Sequence, residues 1–285
     1  MIRANFHTHT TLCDGSNSPE DVAAFAFSEG FTHLGFSGHM DADIHMDIGL
    51  YYARIRSLQE KYRPAMDILR GIELDTLYDA SCAYDAEYVI GSTHFLDVPS
   101  QIPMSVDSSP AQMKQLCEEF FGGDYYALAK AYYELEASVY ERTRCTFIGH
   151  FDLVTRFNDE MHFLDEEDPR YRKAALEAME HLARLRIPFE INCGAVNRGR
   201  KKELYPHPFL LRALHDLGGE IVISSDAHQK ELLAGAFDQA VLAARACGFT
   251  HTNILEHAPD GSVVFRQVAL DEFEKGLKLC QSSGK

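Results

Sequence analysis

The chain is predicted to be an α/β protein, a ring of parallel strands with helices packed outside. Short apolar runs alternate with longer amphipathic stretches over most of the 285 residues, an order that makes parallel strands joined by crossover helices. About seven such strands can be counted, which suits a barrel better than a short open sheet. Histidine, aspartate and glutamate recur at one place in each unit, the C-terminal end of the strand. In a parallel barrel those ends meet at one rim.

The elements follow in order. "ANFHTH" is the first strand, and Ser18-Pro19-Glu20 starts a helix with Ser18 as N-cap and proline at the first helical position. "THLGFSGH" is the second strand and "GLYYARIRSLQEKY" the helix after it. "MDILRGIELD" and "EYVIGSTHF" give two more strands, and a helical tract runs from about Pro110 to Arg142, broken at Gly122-Gly123. Then come "CTFIGHFD", a helix over about Arg170–Leu185, "IPFEINC", a helix over Pro208–Leu217, "EIVISSDAH", and a helix near Ala236–Cys247. No linker, repeat or composition break divides residues 1–285, so one domain is expected.

Composition narrows the function. Hydrophobic residues make up 46% of the chain, enough for a large core. Its 27 basic and 43 acidic residues give a net charge of −16, which argues against long polyanions such as DNA or RNA as partners. No run is long enough to span a bilayer, and "MIRANFHTHT" lacks the apolar stretch of a signal peptide. Seven scattered cysteines without a CxxC pair are expected to be reduced thiols of a cytoplasmic protein. The sequence carries no signal that sets an oligomeric state.

The strand ends supply a metal-ligand set. His7 and His9 alternate along an extended segment and share one face. Asp14 lies in the loop beyond, His39 ends the second strand, Glu73 the third, and His94 the fourth. "IGHFD" adds His150, and "ISSDAH" adds Asp226 and His228, again on one face. Any one of these would be an ordinary polar strand end; nine converging make a metal site. A catalytic ion takes three or four protein ligands, so nine imply two or three divalent ions, with a carboxylate such as Glu73 bridging two. Imidazole and carboxylate without thiolate suit Zn, Mn or Fe. Such ions activate water and polarise a scissile group, with Glu73, Asp226 and His228 acting through that water. The chemistry is hydrolytic.

The pieces "HTHT…D", "SGH", "GIE", "GSTH", "GHFD" and "SSDAH", in this order from His7 to His228, resemble the polymerase and histidinol phosphatase (PHP) family. The resemblance implies a distorted (β/α)7 barrel with a trinuclear site at the C-terminal strand ends. It implies His7, His9, Glu73 and Asp226 around one ion, Glu73, His94 and His150 around a second, and Asp14, His39 and His228 around a third. The length and "GSTHFLDVPSQIPMSVDSSP" are similar to the histidinol-phosphate phosphatase branch. That implies hydrolysis of L-histidinol phosphate, a small phosphorylated substrate of histidine biosynthesis.

A phosphate ester also needs cationic donors, and arginine's planar fork suits phosphate oxygens. Arg156 follows His150 in "GHFDLVTRFN", and Arg198 and Arg200 lie in the glycine-bearing loop "GAVNRGRKK". The resemblance to the phosphatase branch implies Arg156 and Arg198 as the phosphate clamp, with Asn192 orienting the second loop or touching substrate. The rival chemistries lack their residues. An aspartyl-phosphate phosphatase wants DxD where this chain has HTH, and Cys-x5-Arg counted from Cys193 falls on Gly199. Amidohydrolases share the HxH but recruit a bridging lysine. The alternatives left are a nucleotide or oligonucleotide phosphoesterase of the same family and a metal-binding barrel without turnover. Of the other histidines, His45 lies in a loop able to close over substrate, and the rest are expected to be structural.

Overall fold

The computed structural model describes residues 2–44 and 46–282; His45 lies outside them. The strands in chain order are β1 (Ala4–Asn5), β2 (His33–Met40), β3 (Asp67–Asp75) and β4 (Tyr88–Ser92). After a small antiparallel hairpin, β5 (Phe95–Leu96) and β6 (Met104–Ser105), come β7 (Phe147–Ile148), β8 (Phe189–Asn192) and β9 (Ile221–Ser224). β1, β2, β3, β4, β7, β8 and β9 are neighbours in that order and pair in parallel. The sheet curls until the chain beyond β1 meets the chain beyond β9. There Thr8 bridges Ala227, with the His9 amide donating to the Ala227 carbonyl at 2.9 Å. This is the expected seven-stranded distorted barrel. The distortion has a local source: β1 and β7 are two residues long, so ladder pairing there is minimal.

The barrel interior is filled by Tyr88, fully buried, whose hydroxyl donates to the carbonyls of Phe6 at 2.7 Å and Phe36 at 2.9 Å. A Cβ at Gly35 would lie 2.3 Å from the Tyr88 hydroxyl oxygen, and one at Gly71 2.2 Å from its ring. Those two glycines make room for the floor on which the site rests.

The helices mostly follow the local signals. Ser18 caps Pro19–Ser28 by accepting from the Asp21 amide at 3.1 Å. The tract from Pro110 divides into Pro110–Phe121, Tyr125–Glu136 and Val139–Thr143. The first break is at Gly122 and Gly123, both at positive φ, where a side chain is strained. The tyrosines of the second helix serve packing, Tyr132 and Tyr133 being buried. Beyond Cys247, where no element was expected, the chain adds an antiparallel hairpin, β10 (His251–His257) and β11 (Val263–Ala269), and the helix Leu270–Ser282. His257 ties the hairpin to the barrel through Asp67 at 2.6 Å and Glu87 at 3.1 Å.

Glu136 ends the helix Tyr125–Glu136 with both carboxyl oxygens buried and without a hydrogen-bond partner among the described residues. Burial, reinforced by the charge of Asp75, pushes its pKa from 4.5 up to about 8. The folded state therefore holds a proton that the unfolded chain releases near pH 4.5, and stability falls as pH rises from there towards 8. Glu136→Gln is expected to remove that slope, worth on the order of 3 kcal/mol near pH 7. Urea unfolding at pH 5 and pH 8 checks it; parallel curves for variant and parent would contradict the assignment.

Candidate metal centre and its cavity

The parallel register brings the strand-end residues together. His39 on β2 pairs directly with Glu73 on β3, so both reach the rim at one level. Glu73 is 1% exposed and stands at the middle of five imidazoles. Its Oε2 lies 3.0 Å from His7 Nε2, 3.4 Å from His9 Nε2 and 3.1 Å from His39 Nδ1. Its Oε1 lies 2.8 Å from His150 Nε2 and 3.2 Å from His94 Nε2, and accepts from Ser92 Oγ at 2.8 Å. The two oxygens thus face different histidines, the arrangement that a bridging carboxylate requires.

Asp226 completes one side, with Oδ1 at 3.3 Å from His9 Nε2 and 3.8 Å from His7 Nε2. Its backbone is held at φ +48°, an uncommon conformation for a residue with a side chain. A Cβ on Gly194 would sit 2.4 Å from its Oδ2, so that glycine makes space for a ligand carboxylate. Asp14 gathers the third group, with Oδ2 at 3.0 Å from His228 Nε2 and 3.7 Å from His39 Nε2, and Oδ1 at 3.5 Å from His9 Nδ1.

Four sets of converging ligand atoms result: His9, Asp14, His39 and His228; His7, His9 and Asp226; His7, Glu73 and His150; His39, Asp41 and His94. All nine residues expected from the sequence are in or beside them. The sets differ from the expected grouping: His9 also joins Asp14, His39 and His228, Glu73 is not in the set of His7, His9 and Asp226, Glu73 and His150 gather His7 rather than His94, and His94 gathers with His39 and Asp41. The residues fit divalent cations on chemical grounds. His7 Nε2, His9 Nε2 and Glu73 Oε2 converge while buried, and none makes a hydrogen bond among the described residues. Leaving such groups unpaired is costly, and a cation shared between them removes the cost.

The electrostatics agree. Burial opposes charge on Glu73, but His7, His39 and His94 hold its carboxyl well below the usual range. Burial likewise opposes the charge on Asp226, and Arg198 and His7 overcome it. His7 is raised despite burial by Glu190, Glu73 and Asp226. His9 is lowered to about 3 by burial and by the neighbouring His228 and His39.

Behind the ligands stand carboxylates that orient them, a common device at metal sites. Glu190 on β8 is fully buried, with Oε1 at 2.6 Å from His7 Nδ1 and Oε2 accepting from the His150 amide at 2.9 Å. Asp75 accepts from the His94 amide at 2.7 Å and lies 3.4 Å from its Nδ1. Sequence reasoning missed both. The signal for Glu190 was a charged residue inside the apolar run "IPFEINC". Glu190→Gln is expected to weaken metal binding roughly ten- to a hundredfold, read by titrating metal-stripped protein with Zn. Unchanged affinity would remove Glu190 from this role.

The centre opens into a cavity of about 250 Å³ whose other walls are Asp107, Leu153, Arg156, Arg198, Arg200 and Tyr205. Arg156 Nη1 pairs with Asp107 Oδ2 at 3.2 Å, and Arg198 Nη2 with Asp226 Oδ2 at 3.0 Å. Asn192 is not among the cavity-lining residues. It is fully buried, donates to Glu190 Oε2 at 2.9 Å and accepts from the Gly194 amide at 2.8 Å. Those bonds tie the end of β8 to the backbone of Gly194, at the start of the arginine-bearing loop.

A curled parallel α/β barrel with this rim defines a metal-dependent hydrolase. The PHP domain model matches residues 5–194, and the chain belongs to the PHP domain family. It is 29% identical to a probable histidinol-phosphatase of Deinococcus radiodurans, covering 85% of this chain and 92% of that one. It is 25% identical to a probable histidinol-phosphatase of Schizosaccharomyces pombe, covering 95% of this chain and 94% of that one. Its fold is similar to the histidinol phosphate phosphatase of Lactococcus lactis, solved with zinc, L-histidinol and phosphate. The TM-score is 0.67 at 18% identity, over 89% of this chain and 97% of the other.

Proposed function

We propose that this chain is a metal-dependent phosphomonoesterase that hydrolyses L-histidinol phosphate to L-histidinol and inorganic phosphate. The observation that carries the reading is the cavity itself. One wall is an imidazole–carboxylate centre with unpaired ligand atoms, and the other presents Arg156, Arg198 and Arg200. Two or three divalent ions (Zn, Mn or Fe) held by His7, His9, Asp14, His39, Glu73, His94, His150, Asp226 and His228 would supply Lewis acidity and water activation. Relatives of nearly full length carry the histidinol-phosphatase name, which supports the substrate.

The chain's own groups do the rest. Arg156 and Arg198 each keep a buried Nε–H without an acceptor among the described residues, two donors for phosphoryl oxygens. Asp107 holds the Arg156 fork in place. As phosphorus becomes five-coordinate its equatorial oxygens gain charge, and preorganised guanidinium groups stabilise that change. Glu190 and Asp75 keep His7 and His94 in the orientation that presents Nε2 to the centre.

Residues 1–285 act in this reading as one domain, supported by an apolar core that includes Ile2 and Phe273. A small ester is its substrate rather than nucleic acid, supported by the net charge of −16. A cytoplasmic setting is supported by the six described cysteines, all unpaired. No described helix is long and apolar enough to cross a membrane. The test is phosphate release by metal-reconstituted protein across histidinol phosphate, nucleoside monophosphates and short oligonucleotides. Histidinol phosphate is expected to lead the panel. Preference for oligonucleotides would overturn the substrate, and inertness to every ester would overturn turnover itself.

A further inference from the structure

Tyr205 lines the cavity and is 1% exposed, yet its hydroxyl has no hydrogen-bond partner among the described residues. A buried hydroxyl without a partner is rare, because its desolvation is not repaid. Other buried tyrosines of this fold avoid the cost: Tyr51 donates to the Gly71 carbonyl, Tyr88 to two carbonyls, and Tyr133 bonds Tyr171. Tyr205 is also held firmly. Its backbone pairs with Asn192 at the end of β8, with the Asn192 amide donating to the Tyr205 carbonyl at 2.8 Å. The Lys201 ammonium sits 5.0 Å from its ring centroid, and the His150 ring packs edge-on at 6.3 Å. The position of the phenol is therefore fixed by groups that do not use its oxygen.

Arg156, Arg198 and Asp107 line the same cavity as this ring. It thus belongs with the two arginines of the clamp. A phenol stays protonated at neutral pH, so Tyr205 acts as a donor, not as an acid that gives up its proton.

Resting on the reading of the cavity as a phosphate-ester site, we infer that Tyr205 is a third arm of the clamp, donating its hydroxyl hydrogen to a phosphoryl oxygen. The hydroxyl shares its cavity with Arg156 and Arg198, and a tetrahedral oxyanion bound there would give it an acceptor. A sulfate or phosphate group meets that description; a carbonyl or a purely apolar ligand leaves the guanidinium groups unanswered.

The test compares Tyr205→Phe with the parent, both reconstituted with Zn. Phenylalanine keeps the ring and its packing and removes one oxygen. A donor lost from a charged acceptor predicts a roughly ten- to hundredfold fall in kcat/KM, with metal content unchanged. Inorganic phosphate is expected to inhibit the variant more weakly and to raise its melting temperature less than the parent's. Without ligand, the variant is expected to melt at the same temperature or higher, since an unpaired buried hydroxyl is gone. A hydroxyl serving structure alone gives the opposite pattern, a lower melting temperature with unchanged phosphate inhibition, and that result overturns the inference. If the parent binds phosphate but prefers another ester, the histidinol reading falls, and the phosphate comparison still decides Tyr205. If the parent does not bind phosphate, both fall.

Discussion

Replacing Glu73 by glutamine is expected to empty the metal centre and stop turnover together. The carboxylate is buried under five imidazoles, and its two oxygens serve different sets of them. An amide has one acceptor oxygen and no charge, so it can serve only one of those sets and neutralises neither. Removing the charged partner from a buried cluster costs about 3–5 kcal/mol. That corresponds to a roughly hundred- to several-thousandfold loss in metal affinity, and activity falls at least as far. Glu73→Asp separates reach from charge. It keeps the carboxylate but is shorter by one methylene, so it is expected to hold some metal and little activity. Elemental analysis beside turnover decides the matter. Full occupancy with normal kcat in the glutamine variant would refute the bridge.

The metal ligands were legible in the sequence because strand geometry is local. Alternation puts His7 with His9, and Asp226 with His228, on one face, and parallel strands deliver every C-terminal end to one rim. The same rule could have reached Asp75, two residues beyond Glu73, and Glu190, two before Asn192. Both were passed over because a carboxylate behind a ligand leaves no spacing signature. Asp41, Asp107 and Tyr205 were not legible. They come from irregular segments, and only the folded loops bring Asp41 to His39 and His94 and bring Asp107 and Tyr205 to the cavity. The C-terminal hairpin was missed for a related reason: β11 reads "VVFRQVA", largely exposed with a single fully buried residue, Val268. Its weak alternation hides a strand that is fixed by pairing with β10.

The arginines are the second test, because they separate substrate binding from the metal centre. Arg156→Ala and Arg198→Ala are each expected to keep fold and metal yet lose kcat/KM. A charge-assisted hydrogen bond is worth about 1.5–3 kcal/mol, so the loss is roughly ten- to more than a hundredfold per arginine. The two differ in what they leave behind. Arg156 releases Asp107, a carboxylate 22% exposed that water can solvate. Arg198 releases Asp226, whose carboxylate is 9% exposed and has Arg198 as the first of the charges holding its pKa down. Without that charge the Asp226 carboxyl is held down by His7, His9 and His228 alone, so Arg198→Ala is expected to be the more disturbed of the two variants. Ground-state binding lost with either arginine appears in KM, and contacts that tighten in the transition state appear in kcat. Lysine at either position restores charge but not the planar fork, and is expected to recover only part. Because both side chains grip one phosphoryl group, the double variant is expected to fall short of the product of the single losses. Inorganic phosphate supplies the control: it should inhibit the parent and inhibit each alanine variant much less. Variants that match the parent in turnover and phosphate inhibition would show that neither arginine touches the ester, and the phosphate reading of the cavity would lose its cationic wall.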